Sequence, residues 1–212
     1  MKLKGTNRNP RRIGLVGGTF NPIHIGHLVT AEEAFYQFKL DEIIFIPSGQ
    51  PPHKIDHDIA PAEDRYLMTV IATASNPHFT VSRIEIDRVG PSYTVDTLRE
   101  MKKIYGEETE LFFITGADAV IEILTWKDPE IIADLCEFIA ASRPGYSFRK
   151  FEELKLTQKN KLPKVHFMEI PALAISSTDI RRRIREGRPV KYLLPEGVAQ
   201  YLAKRGLYIK ED

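Results

Sequence analysis

The sequence predicts an α/β protein with a Rossmann-like, doubly wound and mostly parallel sheet that carries helices on both faces. Short apolar runs alternate with helical segments along the chain, which implies right-handed crossovers between parallel strands. Several of these runs are apolar almost throughout, as is typical of strands buried on both faces. A glycine-rich turn joins the first run to the first helix, and open α/β sheets bind ligands at such turns.

The first third of the chain supplies two predicted strands and two predicted helices. Residues 1–11 are expected to form a loose tail, because they are polar and have little to bury. The run 13–16 predicts the first strand, and Glu42–Pro47 predicts the second. Apolar residues at helical spacing predict the first helix, namely Leu28, Ala31, Ala34, Phe35 and Phe38. A proline-rich loop is predicted over 48–61 and a helix over 61–75, with proline in its first turn.

The rest of the chain continues the alternation. Strands are predicted over 80–87, 110–115, 136–141 and 164–169, and the first of these alternates imperfectly. Helices are predicted over 94–105, 129–135, 177–186 and 196–204. The sequence contains no internal repeat and no obvious linker, so we expect a single domain over residues 1–212.

Composition and charge favour neither a nucleic acid nor a membrane as partner. The formal net charge is +1, so any anion binding has to come from local clusters. A single cysteine, Cys136, excludes an internal disulfide and a cysteine-based zinc site and fits a reducing compartment. The N-terminus has no secretory signal, and no stretch is apolar enough to span a membrane. We therefore expect a cytoplasmic protein, and the sequence leaves open whether it forms a homo-oligomer.

The most informative stretch is the turn at residues 17–28, Gly-Gly-Thr-Phe-Asn-Pro-Ile-His-Ile-Gly-His-Leu. Its glycine pair allows a ligand to approach the backbone closely, and the helix start provides free N–H groups at a positive dipole end. His24 and His27 are three residues apart, so both rings lie on one face of the first helical turn. This arrangement suits a nucleotide phosphate chain. The alternative is a tight turn whose two histidines cap the helix.

A second predicted anion site covers residues 175–183. Ser176 and Asp179 have the spacing of a capping box, and Arg181, Arg182 and Arg183 follow within the first helical turns. Cations near a helix N-terminus oppose the helix dipole, unless a polyphosphate binds there and hydroxyls, amides and an arginine converge on it. The alternative is a solvated basic face.

The two segments resemble the two signatures of the class I nucleotidylyltransferases, Gly-Gly-Thr-Phe with His-x-Gly-His and Ser-Ser-Thr-x-x-Arg. The resemblance implies catalytic roles for Thr19, His24 and His27. It also implies that ATP is bound by Gly17, Gly18, Phe20, Ser176, Ser177, Thr178 and Arg181. Arg182 and Arg183 have no counterpart and are expected at the surface. Asn21 stands where the family often has aspartate, and little consequence is expected because either side chain can bond to the turn backbone.

Four intermediate segments extend the resemblance to the acceptor: Pro51-Pro52-His53-Lys54, Pro91–Leu98, Gly116–Ala119 and Leu124–Lys127. In this order, and over nearly the whole chain, they resemble the bacterial nicotinate-nucleotide adenylyltransferases. The resemblance implies that Trp126 stacks on a pyridine ring and that Thr94, with nearby amides, binds its carboxylate. It also implies that Lys54 approaches the acceptor phosphate, and that Gly116 and Asp118 line the nucleotide cleft.

The acceptor residues also have structural alternatives. A lone tryptophan such as Trp126 is more often part of a core. Thr94 and Asp118 could each cap a helix. His53 and His57, four residues apart in the proline-rich loop, could bind a metal.

The resemblance implies the reaction of ATP with nicotinate mononucleotide to give deamido-NAD and pyrophosphate. Mg²⁺ would bridge the triphosphate, held mostly by phosphate oxygens and water, and the sequence shows no carboxylate cage for it. Nicotinamide mononucleotide, phosphopantetheine and glycerol phosphate are alternative acceptors. A non-catalytic adenine-nucleotide sensor is disfavoured by the presence of both histidines. A fragment of a class I aminoacyl-tRNA synthetase is disfavoured because the chain is short and lacks Lys-Met-Ser-Lys-Ser.

Overall fold

Strands and helices alternate along the described part of the chain. The computed structural model describes residues 10–51, 59–142, 162–171 and 173–209, together with 145, 149, 151 and 153. The strands are β1 (Arg12–Gly18), β2 (Glu42–Pro47), β3 (Phe79–Val81), β4 (Glu110–Gly116), β5 (Glu137–Ser142) and β6 (Val165–Glu169). The helices are α1 (Ile25–Gln37), α2 (Ala62–Thr73), α3 (Thr94–Tyr105), α4 (Ala117–Glu122), α5 (Pro129–Leu135), α6 (Ser177–Arg185) and α7 (Glu196–Arg205). A 3-10 turn, Ile123–Thr125, follows α4.

The described strands form one six-stranded sheet in the order β3-β2-β1-β4-β5-β6, and every neighbouring pair is parallel. The predicted α/β, Rossmann-like, doubly wound class is confirmed. None of the helices in the described part of the chain combines the length and the apolar character needed to cross a membrane.

Two apolar clusters cover the two faces of the sheet. Alternate residues of a strand point to opposite faces, so Ile43 and Phe45 of β2 join one cluster and Ile44 and Ile46 join the other. The first cluster packs the sheet against α1, α2, α6 and α7, and the second packs it against α3, α4 and α5. Burial on both faces explains why the strands are apolar throughout.

The strand order places a topological switch point between β1 and β4. From β1 the chain proceeds to β2 and β3 on one side, and then returns to β4 beside β1 and proceeds to β5 and β6 on the other. The connections that follow β1 and β4 therefore run in opposite directions from the carboxyl ends of these two neighbouring strands. The strands are paired as far as Leu15 and Phe113. Crevices at such points are the usual ligand sites of open α/β sheets.

The predicted strand over 80–87 is wrong in its length, because β3 ends at Val81. The backbone then turns, with the N–H of Asp87 donating to the carbonyl of Arg83 at 2.9 Å. The side chain of Arg83 pairs with Asp87 at 3.0 Å and with Glu63 at 2.6 Å, and these contacts favour the turn. The turn carries Glu85 inward toward the carboxyl edge of the sheet.

The sequence also predicts no helix with stated bounds at the positions of α4 and the 3-10 turn. By contrast, the predicted bounds of β2, α3 and α5 agree with the structure. Six residues are too few to show a helical period, which explains why α4 was not delimited.

Candidate active site

A cavity of about 710 Å³ lies at the switch point. Its walls come from the end of β1, the start of α1, the end of β4 and the starts of α4 and α6. The residues predicted from the sequence that line it are Gly17, His24, His27, Gly116, Asp118, Ser176 and Ser177. The two predicted anion segments, which are about 150 residues apart in the chain, therefore face one cavity.

His27 is oriented by the backbone of the turn. The N–H of His24 donates to Nδ1 of His27 at 3.1 Å, so the neutral ring carries its proton on Nε2. The two imidazoles stack with their centroids 3.7 Å apart, and the edge of Phe20 meets His27 at 5.2 Å. His27 can therefore offer an N–H donor to an anion in the cavity.

His24 is a buried, neutral imidazole at the N-cap of α1. It is 7% exposed, and burial lowers its pKa to about 4. Among the described residues its Nδ1 has no hydrogen-bond partner, although the atom is shielded from solvent. A buried polar atom of this kind needs a partner, and a phosphate group in the cavity would supply one.

The lowered pKa of His24 predicts a loss of stability in acid. The unfolded chain binds a proton at a pKa near 6.5 and the folded protein only at about 4, so stability falls as the pH drops through this interval. The contribution is at most about 3 kcal/mol and is fully present above pH 6.5. His24→Asn keeps a good N-cap residue and removes this titration. Urea unfolding from pH 4 to 7 should therefore show a flatter profile for the variant than for the wild type and the exposed control His78→Asn. Parallel profiles in all three proteins would contradict the prediction.

Ser177 and Arg181 hold the start of α6 against the turn. The hydroxyl of Ser177 donates to the carbonyl of Pro22 at 2.8 Å, and Nη1 of Arg181 donates to the carbonyl of Asn21 at 2.9 Å. Among the described residues, Nε of Arg181 is buried without a partner. These side chains thus contact the backbone of the glycine-rich turn and place the start of α6 beside it.

The other residues of the second segment face outward. Thr178 is exposed and is not among the described residues that line the cavity. The N–H of Asp179 donates to the hydroxyl of Ser176 at 3.2 Å, which completes one half of the predicted capping box. The carboxylate of Asp179 pairs with Arg183 at 2.7 Å and with Arg182. Asp179 therefore offsets the cations that oppose the helix dipole.

Asn21 joins the turn to two distant parts of the chain. Its Oδ1 accepts the N–H of Ala60 at 3.0 Å and the hydroxyl of Tyr208 at 2.5 Å. The side chain is 5% exposed. The sequence predicts a bond to the backbone of the turn itself, whereas this bond is made to the backbone of Ala60, in the loop before α2.

The conformation of the turn depends on Phe20, Gly17 and Gly18. Phe20 is buried with a φ of 47°, and its ring packs against Phe45 with centroids 5.9 Å apart. A side chain at Gly17 would place Cβ 2.8 Å from the ring of Phe113. Gly17 is therefore required for close packing, and its backbone remains open to the cavity.

A smaller cavity of about 280 Å³ adjoins the first, and both are lined by Gly17 and Thr115. It is lined by Gly18 and Thr19 of the turn and by Thr94 and Trp126. Trp126 packs as expected for a core residue, and its proposed stacking on a pyridine ring stays a prediction. Its ring packs against Phe113 and Phe138 of the core, with centroids 5.8 and 6.2 Å apart, and it also lines the cavity.

The helix-capping alternatives for Thr94 and Asp118 are wrong. The N-cap of α3 is Tyr93 and the N-cap of α4 is Gly116. Thr94 is the first residue of α3 and lines the smaller cavity, and Asp118 lines the larger one. Both residues therefore remain available to a ligand.

The chain is similar in sequence to known proteins. Residues 15–183 match a family model described as cytidylyltransferase-like. The probable nicotinate-nucleotide adenylyltransferase of Moorella thermoacetica is 56% identical over 204 residues, which cover 94% of this chain and 92% of the relative. The protein of the same name from Thermoanaerobacter sp. is 53% identical over 206 residues, which cover 95% and 96%. The chain belongs to the nicotinate-nucleotide adenylyltransferase family.

A solved structure supports the fold of this family member. Plasmodium falciparum nicotinic acid mononucleotide adenylyltransferase, complexed with NaAD, matches it with a TM-score of 0.76 at 20% identity. The match covers 93% of this chain and 97% of that one. At this identity the similarity shows the shared fold.

Some of the predicted site of this adenylyltransferase family member lies outside the described residues. Lys54, His53 and His57 are in this group, as is most of the predicted N-terminal tail. Among the described residues, no three His, Cys, Asp or Glu side chains are grouped so as to hold a metal ion. Cys136 is buried, and burial raises the pKa of its thiol.

Sequence reasoning missed Arg65, which is central to the adenylyltransferase turn. Arg65 is 1% exposed and donates three hydrogen bonds to carbonyl oxygens. Nη1 reaches Thr19 at 2.8 Å, Nε reaches Ala60 at 3.0 Å and Nη2 reaches Gly49 at 3.2 Å. One guanidinium therefore joins the turn after β1 to both ends of the connection between β2 and α2.

Proposed function

We propose that this protein transfers the adenylyl group of ATP to nicotinate mononucleotide, giving deamido-NAD and pyrophosphate in NAD biosynthesis. The observation that carries the proposal is that two cavities adjoin at the end of β1, one beside the imidazole pair and one beside Trp126. Relatives that are more than half identical over nearly the full chain carry the corresponding name. A protein of the same fold is complexed with NaAD, the proposed product, and again with APC.

The two cavities suit the two substrates in size and chemistry. The larger one would hold ATP between the two anion segments, and the smaller one would hold the mononucleotide. An oxygen of the acceptor phosphate attacks the α-phosphorus, and the bond from that phosphorus to the pyrophosphate oxygen breaks. The acceptor phosphate is already anionic near neutral pH, since its second pKa is about 6, and it therefore needs no strong base. The protein contributes positioning and charge stabilisation.

The turn residues supply the hydrogen-bond donors for this step. Nε2–H of His27 would bind a phosphate oxygen, and the buried neutral ring of His24 would bind another. Thr19 and the amides of residues 17–20 would support the reacting phosphate. Ser176 and Ser177, which line the larger cavity, and the amides at the start of α6 would bind the remaining phosphates. Phosphate contacts of Thr178, which is exposed, and of Arg181, which bonds to the turn backbone, stay predictions.

The smaller cavity offers an aromatic ring and the free amides at the start of α3. Trp126 would stack on the pyridine ring, and Thr94, with the free amides of the first turn of α3, would bind the carboxylate. Nζ of Lys127 lies at the same wall, 3.1 Å from Asp96 and 4.7 Å from the centroid of the Tyr93 ring. The contact of Lys54 with the acceptor phosphate stays a prediction.

Mg²⁺ is proposed as the metal that accompanies ATP. The described residues contain no cluster of three ligating side chains, which fits an ion held mainly by phosphate oxygens and water. Asp118 is the carboxylate that lines the larger cavity and would face the hydrated ion. Such an ion would neutralise part of the charge on the triphosphate.

Trp126→Ala is expected to raise the KM for nicotinate mononucleotide about tenfold or more, since base–aromatic stacking is worth about 1–3 kcal/mol. The KM for ATP should change less than twofold, because the ring lines only the smaller cavity. Steady-state pyrophosphate release with each substrate varied in turn measures both values. Tyr36→Ala, which alters an 81% exposed ring, is the matched control. Equal changes in both KM values would assign the tryptophan to the core alone.

Pyrophosphate release with ATP and a panel of acceptors tests the proposed function. Nicotinate mononucleotide should support the fastest turnover, ahead of nicotinamide mononucleotide, phosphopantetheine and glycerol phosphate. Binding of ATP without pyrophosphate release from any acceptor would instead indicate a nucleotide sensor. We further propose a cytoplasmic location, because a single buried thiol fits a reducing compartment.

A further inference from the structure

Glu85 is a buried carboxyl group that the reaction described above does not use. It lies in the turn after β3, is 8% exposed and lines the smaller cavity. Burial raises its pKa, as expected for a carboxylate that loses its hydration. Buried carboxylates are retained only where hydrogen bonds compensate for that loss.

Two hydroxyl groups at the start of α3 provide those bonds. The hydroxyl of Thr97 donates to Oε1 of Glu85 at 2.7 Å. Interaction with the hydroxyls of Thr97 and Ser92 lowers the pKa of the carboxyl and so offsets part of the rise caused by burial. Nη1 of Arg88 donates to the Thr97 oxygen at 3.0 Å. The Thr97 hydroxyl has a second acceptor at longer distance, the carbonyl of Tyr93 at 3.3 Å, so the shorter bond to Glu85 favours one direction for its proton.

The direction of the Ser92 proton has a consequence for the loop after β2. With its proton directed to Glu85, the Ser92 oxygen accepts the N–H of Gly49 at 3.0 Å and the N–H of Gln50 at 3.2 Å. The N–H of Ser92 in turn donates to the carbonyl of Gln50 at 2.9 Å. A Cβ at Gly49 would lie 2.1 Å from the carbonyl oxygen of Glu85, so the two backbones are in close contact.

The smaller cavity lies between the two segments that this network joins. Ser48 and Pro51 form one wall, and Tyr93 and Thr94 form the other. We propose that Glu85 is a positioning residue that sets the separation of these walls and thereby the affinity for the mononucleotide. The inference rests on the proposed function and adds to it a residue that acts through Ser92 and Thr97.

Glu85→Gln tests the inference with little change in volume. Glutamine keeps one acceptor oxygen and replaces the other with an NH₂ group that only donates. A hydroxyl that faces this NH₂ group has to redirect its proton and compete with the N–H groups of the loop. The KM for nicotinate mononucleotide is expected to rise at least tenfold, while the KM for ATP stays within twofold of the wild type. Ser92→Ala should produce the same split, and the double variant should be no worse than the more affected single variant. Glu110→Gln, at the opposite edge of the sheet, is the matched control.

The outcomes separate the positioning role from the proposed function. If the wild type releases no pyrophosphate with nicotinate mononucleotide, the proposed function fails irrespective of Glu85. If the wild type is active, unchanged KM values in Glu85→Gln or equal rises for both substrates overturn the positioning role. Should Glu85→Gln not fold, as judged by circular dichroism, Ser92→Ala alone decides by the same criterion.

Discussion

Replacing His27 by alanine is expected to lower kcat by about 100- to 1,000-fold. Its Nδ1 accepts the backbone N–H of His24, so the neutral ring carries its proton on Nε2. Such a donor acts most strongly on charge that develops on the phosphate oxygens in the transition state. The KM for ATP should therefore change much less than kcat. Pyrophosphate release at saturating nicotinate mononucleotide measures the two parameters.

The His27→Ala experiment needs a control for packing, because the ring also contacts His24 and Phe20. Thermal melting followed by circular dichroism shows whether the variant keeps its fold. His78→Ala is the matched substitution, since His78 stacks on Phe35 at the opposite end of the strands and should leave kcat unchanged. A folded His27→Ala protein that retains more than about a tenth of the wild-type kcat would exclude the catalytic role.

Arg65→Met is expected to reduce the free energy of unfolding by about 3 to 5 kcal/mol. The variant removes the donor from the carbonyl oxygen of Ala60, whose bond is buried, and from those of Thr19 and Gly49, whose bonds are part-buried. A buried acceptor that loses its bond costs about 1–3 kcal/mol, and a part-buried one costs less because water can replace the donor. Methionine keeps much of the apolar stem, so the loss reports mainly on the hydrogen bonds. Urea unfolding at neutral pH measures the change.

Arg99→Met provides the comparison for Arg65→Met. The side chain of Arg99 is 44% exposed and meets Asp96 at 3.5 Å, so its replacement should change stability by no more than about 0.5 kcal/mol. A loss below about 1 kcal/mol for Arg65→Met would mean that water replaces the guanidinium at these carbonyls, contrary to the structural role given to it.

Much of the fold follows from local pattern, because buried parallel strands and amphipathic helices have distinct periods. Glu42–Pro47 and Thr94–Tyr105 are delimited in the sequence by polar residues, proline or glycine, and their observed bounds match. The strand predicted over 80–87 fails because its length depends on ion pairs of Arg83 with Glu63 and Asp87. Such contacts produce no periodic pattern in the amino-acid sequence.

The part of the site that depends on backbone geometry could be predicted from the sequence. Parallel strands end at one edge of the sheet, so the segments that carry His27 and Ser177 meet there. The residues that hold the site together were missed because their charges suggest exposure. Arg65 shares a helix face with Met68 and Ala72, which was a usable signal of a buried guanidinium. Glu85 lies between two isoleucines in the segment predicted as a strand, and only the tertiary fold shows that its side chain is buried.

The bonds from Ser177, Arg181 and Tyr208 to the turn join residues that are 155, 160 and 187 positions apart. During synthesis on the ribosome, the turn would therefore emerge long before the side chains that complete it. A nascent chain that has exposed β1 and α1 cannot yet hold the turn in its final form, because loop closure over such distances comes late in folding. Competence to bind nucleotide would accordingly be acquired only after Tyr208 has left the exit tunnel.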